Sequence, residues 1–233
     1  MTSVELKPVN VGFVLFPGFQ ALDAFGPLDA LNILSTKTKI NLSILAATLD
    51  PVSTRLPGEQ QNPFGSNCAQ SVVPTHTFDN APDLDVLFIP GGIGRREPDT
   101  VDQVSKLLVR LYPSLQSVIT ICTGAAIAAI AGILDGKKAT TNKKSWSLVT
   151  PLGPKTHWVA NARWVRDGKV WTGAGVSAGI DVTLAWIEEV WGEDMATDVT
   201  TVMEYNRAKD PSQDPFAPLY SITDVINGEV QPS

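Results

Sequence analysis

The chain alternates between short apolar runs and longer segments in which apolar side chains recur every three or four residues. The run at 9–16 is apolar, rich in β-branched residues and ended by Pro17-Gly18, which predicts a buried strand. A stretch rich in Pro, Gly and Asn predicts a loop at 51–67. Further strands are predicted at 40–48, 69–74, 85–90 and 117–121.

Helices are predicted where apolar residues recur every three or four positions, so that they line one face of a helix. Gly26-Pro27 interrupts the apolar face of 20–35, and proline favours the first helical position, so we expect this helix to begin at Pro27. A second apolar face predicts a helix over 177–191 that ends at Gly192. The remaining predictions are helices at 101–111, 123–134, 142–149 and 195–206, and a hairpin at Asp167-Gly168.

The order of these elements predicts the fold class. Strands that alternate with helices indicate parallel βαβ units, in which one mostly parallel sheet is covered by helices on both faces. We therefore expect an α/β protein. Neither a polar linker nor an internal repeat divides the chain, so we expect a single domain over 1–233, with a core at about 8–207 and an extended tail at 208–233.

Composition narrows the classes of function. Hydrophobic residues make up 43% and charged residues 18%, which is typical of a soluble globular protein. The net charge of -6 argues against nucleic acid as the main partner, because phosphate binding needs a basic surface. The longest apolar stretch, 118–134, predicts a strand and a helix, so we expect no membrane span. The N-terminus does not have the pattern of a secretory signal.

Cysteine and histidine are scarce. Two cysteines cannot form a disulfide framework, so we expect a reducing, cytoplasmic location. Two histidines with no Cys/His cluster predict that the protein holds no metal.

Cys122 is the strongest candidate for chemistry. It directly follows a β-branched run and precedes a Gly- and Ala-rich segment, which is the strand-turn-helix context of a nucleophile elbow. The N-terminus of the following helix is expected to stabilise the thiolate. The alternative is a buried core cysteine, a common environment for this residue. Cys68, in a polar loop, lacks that context, and we expect no catalytic role for it.

Two other segments end predicted strands with residues of interest. Gly91-Gly92 lets the backbone approach a ligand, and its N–H groups are expected to join that of Thr123 in an oxyanion-type hole; a simple turn is the alternative. Asp23 sits among apolar neighbours, where a carboxyl has a raised pKa and can transfer protons. An exposed aspartate in a first helical turn is the alternative for Asp23.

Five motifs follow one another along nearly the whole chain. They are 16–27 (FPGFQALDAFGP), 87–92 (LFIPGG), 121–125 (ICTGA), 139–141 (ATT) and 175–181 (GVSAGID). In this order they resemble the ThiJ/PfpI superfamily, also called class I glutamine amidotransferase-like. The resemblance implies a flavodoxin-like three-layer sandwich, a homodimer and no cofactor.

The resemblance also assigns roles to residues. It makes Cys122 the elbow cysteine and Asp23 the acid that contacts it, with the N–H groups of Gly92 and Thr123 binding developing negative charge. Ile180, after Gly179, would lie on a helix that packs beside the cysteine. Within the superfamily the chain is most similar to the isonitrile hydratases. In these enzymes a cysteine thiolate attacks the isocyanide carbon, an acid supplies a proton, and water releases a formamide.

One position departs from the pattern of the superfamily. Many relatives carry histidine after Ala-Thr-Thr, whereas this chain has Asn142. The departure weighs against amidase chemistry and against a glutathione-independent glyoxalase, which relies on that histidine. The alternatives to a cofactor-free hydratase acting on a small molecule are such a glyoxalase, a biosynthetic enzyme using the same site, and a non-enzymatic redox sensor or stress protein at Cys122.

Overall fold

The computed structural model describes residues 7–55 and 64–232, in which short strands alternate with helices. The strands are β1 (Asn10–Val14), β2 (Asn41–Ala46), β3 (Val52–Ser53), β4 (Ser71–Val72), β5 (His76–Thr77), β6 (Val86–Ile89), β7 (Ser117–Ile121), β8 (Lys138–Ala139), β9 (His157–Trp158), β10 (Trp164–Asp167), β11 (Val170–Gly173), β12 (Val225–Ile226) and β13 (Glu229–Val230). The α-helices are α1 (Ala21–Ser35), α2 (Pro98–Leu111), α3 (Gly124–Ile130), α4 (Trp146–Val149), α5 (Ala178–Trp191) and α6 (Glu193–Val202).

A seven-stranded sheet forms the centre of the molecule, in the order β10-β11-β7-β6-β1-β2-β5. All pairs in it are parallel except β10 with β11, which form the hairpin predicted at Asp167-Gly168. Every residue of β6 and β7 is buried, which explains why these strands are continuous apolar runs without alternation. The mostly parallel sheet with flanking helices confirms the predicted flavodoxin-like α/β class.

The strand order brings three chain segments together at the carboxyl-terminal ends of the central strands. From β1 the chain first builds outward through β2 to β5, and then returns to place β6 and β7 on the other side of β1. The strand order therefore reverses between β1 and β6, where parallel sheets bind ligands at their carboxyl ends. The residues after β1, β6 and β7 meet at this point.

Helix α1 begins earlier than the sequence predicts. It starts at Ala21 and contains Pro27 in its interior, although proline cannot donate a hydrogen bond to the carbonyl group one turn back. The predicted start at Pro27 is wrong because Asp23, Ala24 and Gly26 are themselves buried against the rest of the molecule. That burial outweighs the local cost of the proline. Asp23 consequently lies in the first turn of a continuous helix.

The C-terminal residues also differ from the expected extended tail. They contain a short 3-10 helix (Pro218–Tyr220) and the antiparallel pair β12–β13, which joins β9 and β8 in a second sheet of four strands. Asp214 is buried and pairs with Lys143 at 3.2 Å. The tail is therefore packed onto the core through backbone pairing and a buried ion pair.

Other boundaries differ by a few residues. The helix predicted at 123–134 ends at Ile130, and turns follow it. The segment 142–149 forms a 3-10 turn (Lys143–Ser145) followed by α4. In the predicted loop 51–67, β3 pairs with β4, while residues 56–63 lie outside the described part of the chain.

Candidate active site

Cys122 occupies a sharp turn between β7 and α3. Its φ of 56° lies in the left-handed region, which costs free energy for any residue other than glycine. Two hydrogen bonds hold the turn: the Cys122 N–H donates to the Gly173 carbonyl at 3.1 Å, and the Thr141 hydroxyl donates to the Cys122 carbonyl at 2.8 Å. The backbone geometry is that of the elbow expected from the sequence.

Asp23 approaches the same turn from α1. Its side chain is completely buried, and Oδ2 accepts a hydrogen bond from the Gly91 N–H at 2.8 Å. Only glycine fits at position 91, because a Cβ atom there would lie 2.5 Å from the Thr123 nitrogen and 3.0 Å from Asp23 Oδ2. The ends of β6 and β7 and the first turn of α1 are therefore in direct contact.

The pKa of Asp23 is raised from 3.8 to about 7, chiefly because burial disfavours the carboxylate. Hydrogen bonds from the Gly91 N–H and the Cys122 thiol oppose that rise. Within the described residues, Asp23 Oδ1 has no partner that meets hydrogen-bond geometry. The alternative of an exposed aspartate at position 23 is therefore wrong.

Cys122 is 5% exposed, and the pKa of its thiol is raised above the ordinary value. Burial is the main cause, and the negative charge of Asp23 is the second. Hydrogen bonds from the Thr123 N–H, the Asn142 side chain and the Thr123 side chain lower the pKa by less. The expected thiolate stabilised by the helix terminus is therefore not the resting form. Near neutral pH the Cys122 thiol therefore keeps its proton, and the Asp23 carboxyl is partly protonated.

Asn142 occupies the position at which the resemblance places a histidine in many relatives. Its Oδ1 accepts a hydrogen bond from the Ser145 N–H at 3.0 Å, which leaves the amide NH₂ to face the Cys122 sulfur. An amide can donate to the sulfur but cannot accept its proton at neutral pH. The carboxyl of Asp23, in contrast, is a group beside this cysteine that can accept a proton.

The predicted oxyanion donors are engaged within the protein. The Gly92 N–H donates to Thr123 Oγ1 at 3.1 Å, and the Gly91 N–H donates to Asp23. Both amides position neighbouring side chains, because the strand end packs tightly against α1 and the elbow. The Thr123 N–H is the predicted donor that faces the sulfur.

Gly179 and Ile180 lie at the start of α5, where this helix crosses α1. A Cβ atom at Gly179 would lie 3.0 Å from the Ile121 side chain, and one at Gly26 would lie 2.7 Å from the Ile180 side chain. The two residues thus pack against the helix that carries Asp23 and the strand that leads to Cys122. A role for either residue in binding a substrate stays a prediction.

Arg95 is a residue that the sequence did not single out. It lies on a 3-10 helix (Ile93–Arg96) that follows Gly92, and it is only 8% exposed. Burial and the nearby Arg96 lower its pKa, whereas the negative charge of a Cys122 thiolate raises it. The sequence feature that could have marked Arg95 as a candidate is its position three residues after the Gly91-Gly92 turn.

The other sequence candidates lie apart from this group. Cys68 is exposed, and the imidazole of His157 lies 3.4 Å from Asp224. Within residues 7–55 and 64–232, no group of three or more His, Cys, Asp or Glu side chains is arranged to hold a metal ion. In the same residues, no helix is both long enough and apolar enough to cross a membrane. A cavity of about 450 Å³ beside Phe78 and Arg110 touches none of the candidate residues.

The fold and the elbow cysteine define a class of protein, and comparison with known families identifies it. Residues 9–189 match the model of the DJ-1/PfpI family, and the chain belongs to that family. It is 34% identical over 197 residues to the isonitrile hydratase of Pseudomonas putida, which covers 84% of this chain and 78% of that enzyme.

More distant relatives extend the comparison. The chain is 24% identical to the HTH-type transcriptional regulator GbdR of Pseudomonas aeruginosa, over 91% of this chain but only 55% of the regulator. Among solved structures, a ThiJ/PfpI family protein from Pseudomonas syringae superimposes with a TM-score of 0.70 at 26% identity, covering 91% of this chain and 83% of that one. Relatives of this fold thus include an enzyme and a regulator that carries additional sequence.

Proposed function

We propose that this protein is a cofactor-independent hydratase that adds water to an isonitrile, R–N≡C, to give the formamide R–NH–CHO. The observation that carries the proposal is the buried pair of Cys122 and Asp23, in which the carboxyl has a pKa of about 7. A carboxyl with such a pKa serves as both a proton acceptor and a proton donor near neutral pH. The 34% identity with an isonitrile hydratase supports the choice of substrate.

The first half of the reaction forms a bond between Cys122 Sγ and the terminal carbon of the isonitrile. Since the thiol pKa is raised, the proton passes from sulfur to the Asp23 carboxylate as the sulfur attacks. Asp23 then delivers that proton to the same carbon, which gives the thioimidate R–N=CH–S-Cys122. The atoms balance without an oxidant or a reductant.

The second half consumes water. The Asp23 carboxylate accepts a proton from the water that attacks the thioimidate carbon, so that a tetrahedral intermediate forms. Asp23 gives this proton to the nitrogen. As the carbon–sulfur bond breaks, the hydroxyl proton of the intermediate passes through Asp23 to the departing sulfur, which releases the formamide and restores the Cys122 thiol. The Thr123 N–H and the Asn142 side chain stabilise the departing sulfur by donating hydrogen bonds to it.

The remaining candidates have supporting roles in this proposal. Gly91 orients Asp23 through its N–H, and Gly92 orients the Thr123 side chain. Gly179 and Ile180 form an apolar wall where α5 meets α1. A homodimer in the cytoplasm stays a prediction from the sequence.

The alternative functions have less support. A glyoxalase that relies on histidine beside the cysteine meets Asn142 instead, whose amide cannot act as a base. A redox sensor needs an accessible, low-pKa cysteine, whereas Cys122 is buried with a raised pKa.

Turnover of cyclohexyl isocyanide, followed by proton NMR, tests the proposal. We expect N-cyclohexylformamide to accumulate with the purified protein and with Cys68→Ala, and turnover to stop with Cys122→Ala because the attacking sulfur is gone. Formation of the thioimidate is visible as a mass increase equal to that of the isonitrile on intact protein. Failure to hydrate any of several aliphatic and aromatic isonitriles would refute the substrate assignment.

A further inference from the structure

Thr141 and Asn142 contact Cys122 from the segment that leads into the 3-10 turn at Lys143–Ser145. The Thr141 hydroxyl donates to the Cys122 carbonyl at 2.8 Å, and the Asn142 amide faces the Cys122 sulfur. A Cβ atom placed on Gly175 would lie 3.4 Å from Asn142 Nδ2, so the backbone of Gly175 also lies close to this amide. The position of both side chains at the elbow therefore depends on what holds this segment.

Lys143 is the next residue along the chain, and its buried amino group bonds to both ends of this segment and to the core. Its Nζ donates to Thr140 Oγ1 at 2.6 Å and to the Ala162 carbonyl at 2.8 Å. Because Thr140 and Lys143 flank Thr141 and Asn142, the first bond fixes the ends of the segment relative to each other. The second bond fixes both ends relative to the chain that leads into β10.

Asp214 supplies the negative charge beside this amino group from the C-terminal part of the chain. Its Oδ2 lies 3.2 Å from Lys143 Nζ, and neither side chain is more than 2% exposed. Among the described residues this oxygen accepts no hydrogen bond of good geometry, so the contact is one between charges. Oδ1 accepts a hydrogen bond from the Phe216 N–H at 2.8 Å, which orients the carboxylate. The C-terminal residues thereby stabilise the charged amino group that holds segment 140–142.

The energetics of this arrangement indicate a role beyond anchoring the tail. A buried ion pair is a poor source of stability, because the desolvation of two charges offsets most of their attraction. Apolar side chains of similar volume often fill such a space with no loss of stability. They would not, however, donate hydrogen bonds in fixed directions to the segment that contacts the elbow. The buried amino group is therefore best explained by the segment that it holds.

We propose that Lys143 is a positioning residue, which holds segment 140–142 so that the Asn142 amide stays at the Cys122 sulfur, with Asp214 as its counter-ion. The inference rests on the hydratase function proposed above, in which that amide stabilises the departing sulfur. Lys143 acts in this role through Asn142 and not by contact with the substrate. A displaced amide slows the breakdown of the thioimidate more than its formation, so the covalent intermediate accumulates.

A double-mutant cycle with cyclohexyl isocyanide as the substrate measures this link. We expect Asn142→Ala and Lys143→Met each to lower kcat about 10- to 100-fold, because a donor to the departing sulfur is lost or displaced. KM should fall with kcat, since slower breakdown leaves more of the protein as the thioimidate, which intact-protein mass spectrometry detects. In the Asn142→Ala protein, Lys143→Met should change kcat by less than ~2-fold. Equal effects of Lys143→Met with and without Asn142 would overturn the proposal.

A second variant separates the position of the segment from the stability of the fold. Lys143→Met/Asp214→Asn removes both charges, and the amide oxygen at position 214 can still accept the Phe216 N–H. We expect this variant to recover most of the unfolding free energy that Lys143→Met loses, while kcat stays at the Lys143→Met value. Recovery of kcat together with stability would show that the pair only anchors the tail, and it would overturn the proposal. Lys144→Met, at an exposed position of the same 3-10 turn, is the control and should keep the wild-type kcat.

An NMR measurement that needs no turnover separates this proposal from the proposed function. The side-chain amide signals of Asn142 in a proton–nitrogen spectrum are assigned by their absence in Asn142→Ala. We expect Cys122→Ala to move these signals in the wild-type and Lys144→Met proteins, where the amide faces the sulfur, but not in Lys143→Met. An equal movement in Lys143→Met would overturn the positioning role whether or not the protein hydrates isonitriles. The expected pattern in a protein that hydrates none would refute the hydratase and keep the positioning role.

Discussion

Replacement of Asp23 by asparagine should inactivate the protein and stabilise it at alkaline pH. The carboxyl is completely buried and has a pKa of about 7 in the folded state, against 3.8 as the ordinary value. The folded protein therefore keeps a proton that the unfolded chain releases, and stability falls as pH rises from about 4 to about 7. Above that range the cost of burying the carboxylate is constant. Asparagine carries no charge and avoids the cost.

The size of the effect follows from the two pKa values. Between about pH 5 and about pH 8.5, the titration of Asp23 removes ~3 kcal/mol of wild-type stability. The difference in the free energy of unfolding, Asp23→Asn minus wild type, should therefore be larger by ~3 kcal/mol at the higher pH than at the lower. Catalysis should fall ~10²- to 10⁴-fold at the same time, because asparagine cannot transfer protons.

Urea denaturation at the two pH values measures this difference, with Asp29→Asn as the control. Asp29 is an exposed carboxyl on the same helix, so its substitution should have the same effect at both pH values. The measurement is repeated in the Cys122→Ala protein. We expect the same dependence on pH there, because burial is the main cause of the raised Asp23 pKa and persists without the thiol. An Asp23→Asn effect that does not depend on pH would refute the raised pKa and the proton-transfer role built on it.

Two further substitutions test the packing that supports the site. Gly91→Ala places a Cβ atom 2.5 Å from the backbone nitrogen of Thr123, so we expect a loss of ~1–3 kcal/mol in urea denaturation and a large loss of turnover. Unchanged stability would contradict the close approach of the two strand ends. Lys143→Met leaves Asp214 buried without its partner, and we expect it to cost ~3–5 kcal/mol and to expose the C-terminal residues to limited proteolysis. Wild-type resistance to the protease would show that the ion pair does not anchor the tail.

The sequence by itself determined the elements that depend on local pattern. β7 begins and ends where its apolar run predicts, at Ser117 and Ile121, and the sharp turn at Cys122 follows from the change from a β-branched run to Gly and Ala. The strand and helix alternation also led to the correct fold class. Such features depend on the side chains of neighbouring residues, which the linear pattern records directly.

Where the sequence prediction failed, buried faces from distant segments came together. The local rule for Pro27 placed the start of α1 too late, because contact of Gly26 with Ile180 on α5 is not visible in either segment alone. The tail was predicted as extended because its Pro and Asp content says nothing of the partner strand β9. In both cases the energy of tertiary burial exceeded a local preference.

The chemistry of the candidate site shows the same division. The sequence marked Cys122 and Asp23 as residues of interest, but the pKa of Asp23 depends on burial and on the Gly91 N–H, 68 residues away. It also predicted a stabilised thiolate, whereas tertiary burial beside a carboxyl raises the thiol pKa. Arg95 went unnoticed because its position three residues after the Gly91-Gly92 turn does not show that the side chain is buried. A sequence specifies which side chains are present, but desolvation is a property of the space they share after folding.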